Sequence, residues 1–235
     1  MAEPIIGILG GMGPLAGADF LARLTLATEA ARDQDHLRAV LWSDPTVPDR
    51  TAAALAGGPS PLPAMLAGVR VLEQAGAGCL AIPCNTAHLW ADGITAATRL
   101  PLIHIVDAAA AALAARGIGG GTIGLMGTAA TLRLGLYQDR LAAHGYACLV
   151  PTEAEMAEAV SPAIARVKAN DLAGAAAPLL GVATALAGRG AAAVVLGCTE
   201  IPLALRGPDA EASGLMLVDT IDALARAVLA WARPG

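Results

Sequence analysis

Two cysteines stand where thiol chemistry would count. Cys84 closes the run "AIPC" and is followed by Asn85 and Thr86, while Cys198 closes "VVLGC" and is followed by Thr199 and Glu200. In both places an apolar run ends on a thiol and polar residues open a helical pattern. A buried strand is therefore expected to deliver each cysteine to its C-terminal end, the edge at which open α/β sheets bind ligands. A following helix N-terminus would offer unpaired N–H groups and the positive end of a dipole, which favour a thiolate and bind a carboxylate. Asn85, Thr86 and Thr199 add side-chain donors and caps. Free cysteine is also a common inert core residue, and that reading is given to Cys79 and Cys148, which lie inside apolar runs. Cys84 and Cys198 differ from these because they form a pair. Two thiols on opposite walls of one cleft suit inversion of a stereocentre. One, as thiolate, removes a proton from one face; the other, as thiol, delivers a proton to the opposite face; the roles exchange in the reverse direction.

Positioning such a pair requires a rigid scaffold, and the composition supplies one. The chain has 235 residues, 56% hydrophobic and only 15% charged, so it is long enough and apolar enough for one large domain or two smaller ones. Aromatics are only 3%, with alanine and glycine supplying much of the bulk, which points to helices packed closely on sheets. A net charge of −5 without a basic run argues against nucleic acid or an anionic membrane as partner. The longest uncharged run, 172–188, is alanine-rich and interrupted by Pro178, and it falls short of the ~20 strongly apolar residues of a membrane span. The opening "MAEPIIGILGG" lacks the charged start of a signal peptide, and the cysteines show no C-x-x-C spacing, so a cytoplasmic, disulfide-free protein is expected.

Short apolar runs at 4–10, 38–44, 78–84, 122–127, 147–151 and 192–198 read as buried parallel strands. Helical patterns at 17–31, 61–75, 129–144 and 171–188 alternate with them, and 215–232 reads as strand then helix. The halves repeat. Ile6-Gly7-x-x-Gly10 precedes Phe20 and Arg23-Leu24 at the same spacing by which Ile123-Gly124-x-x-Gly127 precedes Tyr137 and Arg140-Leu141. Gly10 to Cys84 is 74 residues and Gly127 to Cys198 is 71. The expected fold is α/β: two pseudo-symmetric, doubly wound domains with parallel central sheets and an active site in the cleft between them. The boundaries are expected at 1–105 and 106–211, with 212–235 packing back on the first domain.

The motifs "GILGGMGPLAG", "VPDRT", "PCNTAH", "GLMGTAATL" and "LGCTEIPL", in this order over nearly the whole chain, resemble the aspartate/glutamate racemase family, and "PDRT" with both cysteines is most similar to its aspartate racemase branch. The resemblance implies a cofactor-independent two-thiol racemase, frequently dimeric, with Cys84 and Cys198 as the acid–base pair. It further implies that Asn85, Thr86, Thr128 and Thr199 hold the α-carboxylate and amine, and that Arg50 and Lys168 face a distal carboxylate. Met12 would form an apolar wall. Lys168 is the sole lysine beside 14 arginines, which supports a specific need for an ammonium there. Gly17 stands where threonine is expected in the family. His88, four residues after Cys84, is read either as tuning that thiol or as a structural hydrogen bonder, and Glu200 either as a site carboxylate or as a helix-start charge.

Other readings compete. Gly11-Met12-Gly13-Pro14-Leu15-Ala16 satisfies a dinucleotide-binding pattern, with Asp44 as the ribose acid. Cys84, His88 and Cys198 include a zinc-like spacing but lack an evident fourth ligand, so no metal is expected. A non-catalytic dicarboxylate-binding protein keeps the same fold. Glutamate racemases, broad-specificity racemases, hydantoin racemases and maleate isomerases share the superfamily, and one methylene between aspartate and glutamate is worth only ~1–3 kcal/mol.

Overall fold

The computed structural model describes residues 3–233 and divides them into two compact units, 3–108 with 221–233, and 109–220. The first unit is built on β1 (Ile5–Gly10), β2 (Ala39–Ser43), β3 (Ala77–Ala81) and β4 (Leu102–Ile103), in the order β2-β1-β3-β4 with every pairing parallel. Continuous apolar sequence is what a strand covered on both faces requires, and Ile6, Ile8, Leu9, Cys79 and Leu80 are buried. Helix Pro14–Ala27 carries Pro14 in its first turn, where the missing N–H costs nothing. It buries Ala16, Gly17, Phe20 and Leu24 on one stripe. A Cβ on Gly17 would stand only 3.5 Å from Gly10 Cα, so helix and strand approach closely there. Helix Leu62–Gln74 buries Met65, Gly68, Val69 and Leu72.

The second unit repeats that topology. β5 (Gly121–Gly127), β6 (Tyr146–Leu149), β7 (Val194–Gly197) and β8 (Leu217–Asp219) run parallel in the order β6-β5-β7-β8. Its main covering helix, Leu172–Gly188, buries Ala175, Leu179, Val182, Ala183 and Leu186. Pro178 lies inside this helix and has no N–H to offer the carbonyl four residues earlier. That carbonyl, of Gly174, instead accepts a 3.0 Å hydrogen bond from Arg166 Nη1, which explains how the helix continues. Among the described residues no helix is long and apolar enough to cross a membrane.

The differences from expectation are local. The third run stops as a strand at Ala81, three residues before Cys84, because Cys84 N–H turns back to the Ile82 carbonyl at 2.8 Å. The pattern at 129–144 is two short helices, Ala129–Arg133 and Gln138–Ala142, separated by Gly135 at a left-handed φ of 68°. Helix Ser161–Lys168, entered through a π turn at Met156–Val160, has no counterpart in the sequence reading, and neither has the two-residue strand β4. The segment expected to return from 212 supplies β8 to the second sheet, and the return begins only at Ile221. Its helix, Thr220–Ala232, brings Trp231 against Gly78, and Arg233 pairs with Glu3 at 2.7 Å.

Candidate active site

β3 and β7 hold the same place, third in their sheets, and the chain leaves each toward one of the paired thiols. Cys198 follows β7 directly; Cys84 follows β3 after Ile82 and Pro83. Both are buried, 6% exposed for Cys84 and 3% for Cys198. They also share buried polar neighbours in sequence: Asn85, Thr86 and His88 on one side, Thr199 and Glu200 on the other.

The two loops treat their thiols differently. After Cys84 the chain forms a short 3-10 helix, Thr86–Trp90. His88 Nδ1 lies 3.0 Å from the Cys84 carbonyl, and the Ile105 N–H donates to His88 Nε2 at 3.3 Å. An Nε2 that accepts carries no proton, so the ring is neutral with its hydrogen on Nδ1, donated to Cys84. Of the two readings of His88, this geometry favours the structural one: the ring ties the thiol loop to the start of helix Ile105–Ala115. His104 stacks edge-on against it, ring centres 4.6 Å apart.

Cys198 instead donates its S–H to Glu200 Oε2 at 3.0 Å, and Thr199 Oγ1 donates to the same oxygen at 3.3 Å. The helix that follows, Ile201–Ala204, is a single turn. Burial first, and then the Glu200 charge, push the Cys198 thiol well above its ordinary range. The Glu200 backbone N–H and the more remote Lys168 charge act in the opposite, weaker sense. The expected lowering by a helix N-terminus is therefore reversed at Cys198, because the turn is too short and desolvation too complete to favour the thiolate. Burial, against a weaker hydrogen bond with the Gly7 backbone, raises Cys79 to about 12, and burial alone raises Cys148 to about 11, in keeping with inert thiols.

The remaining candidates fall into distinct settings. Thr128 caps helix Ala129–Arg133, its Oγ1 accepting from Thr131 N–H at 3.2 Å. Met12 is buried in the first glycine loop. Arg50 opens helix Arg50–Leu55 and spends Nη1 on the carbonyls of Val47 and Pro48, both at 3.1 Å, while its buried Nε–H has no protein partner. Lys168 ends helix Ser161–Lys168 and is exposed. The glycines of the dinucleotide-like pattern have another explanation. Gly11, at a left-handed φ of 91°, presses on the Asp44 backbone, where any side chain would overlap, and Asp44 itself accepts from Thr46 N–H and Oγ1. Among the described residues no group of three or more His, Cys, Asp or Glu is arranged to hold a metal ion.

Sequence reasoning missed the support beneath Cys198. Tyr137 is fully buried and hydrogen-bonded to Thr220, and the Thr220 hydroxyl donates to the Leu196 carbonyl at 2.8 Å, two residues before the thiol. The signal was available in the repeat, since Tyr137 matches Phe20 and both are 0% exposed.

Two parallel four-stranded α/β units of one topology recur in solved racemases. Over 97% of this chain and 94% of the other, the fold is similar to the aspartate racemase of Picrophilus torridus, with a TM-score of 0.84 and 31% identity. An aspartate racemase homologue from Pyrococcus horikoshii OT3 shares the fold at a TM-score of 0.76, with 22% identity over 97% and 99% of the two chains. Residues 9–228 match the Asp/Glu/Hydantoin racemase family, and the chain belongs to that family; as an enzyme it is an amino-acid racemase. Sequence relatives include the broad-specificity amino-acid racemase RacX of Bacillus subtilis, 32% identical over 109 residues, which span 44% of this chain and 46% of the relative. A protein from Pectobacterium carotovorum is 30% identical over 142 residues, 60% of this chain and 92% of its own length.

Proposed function

We propose that this racemase interconverts L- and D-aspartate without a cofactor, Cys84 and Cys198 exchanging protons with opposite faces of Cα. The observation that carries the reading is the equivalent placement of the two buried thiols, each beyond the third strand of its own sheet. The 31% identity to an aspartate racemase over 97% of the chain supports the substrate. In the forward direction the Cys84 thiolate takes the α-proton and becomes a thiol, while the Cys198 thiol gives its proton to the carbanion and becomes a thiolate. The carbanion's charge is carried by the α-carboxylate, which Asn85, Thr86, Thr128 and Thr199 polarise and hold with the amine. Met12 walls the site. Arg50, through its unpartnered Nε–H, and Lys168 meet the distal carboxylate. A homodimer in the cytoplasm completes the reading.

The test is ¹H NMR of each aspartate enantiomer in D₂O with the protein. The α-proton signal is expected to disappear while the opposite enantiomer accumulates on chiral analysis. A second reading, broad specificity, is favoured by the similarity to RacX. Exchange of neutral amino acids at rates within about tenfold of aspartate would favour it, since a distal-carboxylate clamp is worth more than one methylene. No exchange with aspartate or with any neutral amino acid would sink both readings.

A further inference from the structure

Resting on the two-thiol reading, we infer that Glu200 is the proton partner of Cys198: the pair shares one proton, held on sulfur in the resting enzyme, so that Cys198 begins the cycle as the acid and Cys84 as the base. The Sγ to Oε2 contact of 3.0 Å lies between two buried groups, 3% and 6% exposed, and Thr199 fixes the accepting oxygen with a second hydrogen bond. A carboxylate held this way accepts from the thiol but repels the thiolate. When Cys198 has given its proton to the substrate, two anions face each other out of water, so the sulfur's regaining a proton, while Cys84 releases the one it took from the substrate, is favoured over leaving the charge there. The thiolate that does form is stabilised by the Glu200 N–H and by the Lys168 charge. The groups that act electrostatically on Cys198 or feel it are Glu200 on its own loop, Lys168 at the end of helix Ser161–Lys168, and the buried Tyr137.

The loop at Cys84 is built otherwise. Its sequence, "CNTAH", places Thr86 where "CTEIP" places Glu200, and His88 is held neutral by its bonds to the Cys84 carbonyl and the Ile105 N–H. The equivalence of the two sheets thus does not extend to the loops that carry the thiols, and the difference at Thr86 and Glu200 gives the pair a resting polarity.

The experiment is a pH titration of the free enzyme labelled with ¹³Cβ-cysteine, the Cys198 signal being assigned by its loss in Cys198→Ser. In the wild type the Cys198 thiol signal is expected to persist into the alkaline range. Glu200→Gln, which keeps the shape and removes the charge, is expected to bring its midpoint down by about 1–3 units. Glu200→Asp, which draws the carboxylate back, is expected to give a smaller shift in the same direction and serves if the glutamine variant does not fold. A Cys198 signal that holds its proton as high in the folded variant as in the wild type overturns the proposal. Because no substrate is present, this outcome is separate from failure of the racemase reading, which shows instead as a wild type that exchanges no α-proton.

Discussion

Burial, only partly offset by a hydrogen bond with the Gly7 backbone, pushes the Cys79 thiol up to about 12, whereas Cys198 feels burial together with a carboxylate 3.0 Å away. The two consequences separate. On the proposed mechanism the proton at Cys198 is there to be delivered, so Cys198→Ser is expected to lower inversion at least ~10²-fold, and Cys84→Ser likewise, measured by chiral chromatography of the product. If the thiols work from opposite faces, a single variant retaining normal inversion would exclude its cysteine from the proton transfer. At Cys79 the proton serves only stability. Its folded-state value lies above the ordinary 9.0, so the folded chain keeps a proton that the unfolded chain releases. This stabilisation is complete below 9.0 and is lost as pH rises toward about 12. Urea unfolding compared at about pH 8 and about pH 10.5 should show a loss approaching ~1.4 kcal/mol per unit from this site, absent in Cys79→Ala. That two of the four cysteines stand buried just beyond the third strand of each sheet was legible from their places after apolar runs. The direction in which Cys198 is tuned was not, because it depends on which way the Glu200 side chain turns and on complete burial, neither of which a local pattern encodes.

At the scale of elements, strands with long apolar runs and helices with clear stripes were legible, and short pieces held by tertiary contacts were not. β4 is two residues, Leu102–Ile103, recruited by pairing with Leu80 and Ala81 rather than by any pattern of its own. The turn at Ile82 that ends β3 early is likewise a product of backbone hydrogen bonding at Cys84. The first glycine loop shows what a sequence motif leaves ambiguous: the same glycines would admit a pyrophosphate or the chain's own backbone, and here Gly11 admits Asp44. Gly11→Ala should therefore lose stability twice over, from the left-handed conformation and from overlap with Asp44, by about 2–4 kcal/mol. Gly57, also left-handed at a φ of 66° but with nothing within 4 Å of an added Cβ, is the control, and alanine there should cost only ~1 kcal/mol. Equal losses in urea unfolding would mean that the Asp44 contact yields without cost.

At the scale of the whole molecule, the first unit is discontinuous: its sheet is made before residue 108 and its last helix after 220, with the second unit between them in sequence. The repeated Ile-Gly-x-x-Gly spacing made two sheets legible, and both have the same strand order. The exact point of return was not legible, because "LMLVDTIDALARAVLAWA" reads as one strand–helix piece although its strand extends the second sheet and its helix belongs to the first unit. Such an arrangement makes the C-terminal helix a stabiliser of strands more than a hundred residues away. Ile221, Leu224 and Val228 are all 0% exposed, and truncating one such side chain typically costs about 2–5 kcal/mol. Leu224→Ala should therefore speed hydrogen exchange in β1 and β3, while Leu186→Ala, in the core that also holds Val194 and Leu196, should speed it in β5 and β7. If Leu224→Ala instead loosens all four strands equally, the two units unfold as one cooperative body rather than each about its own sheet.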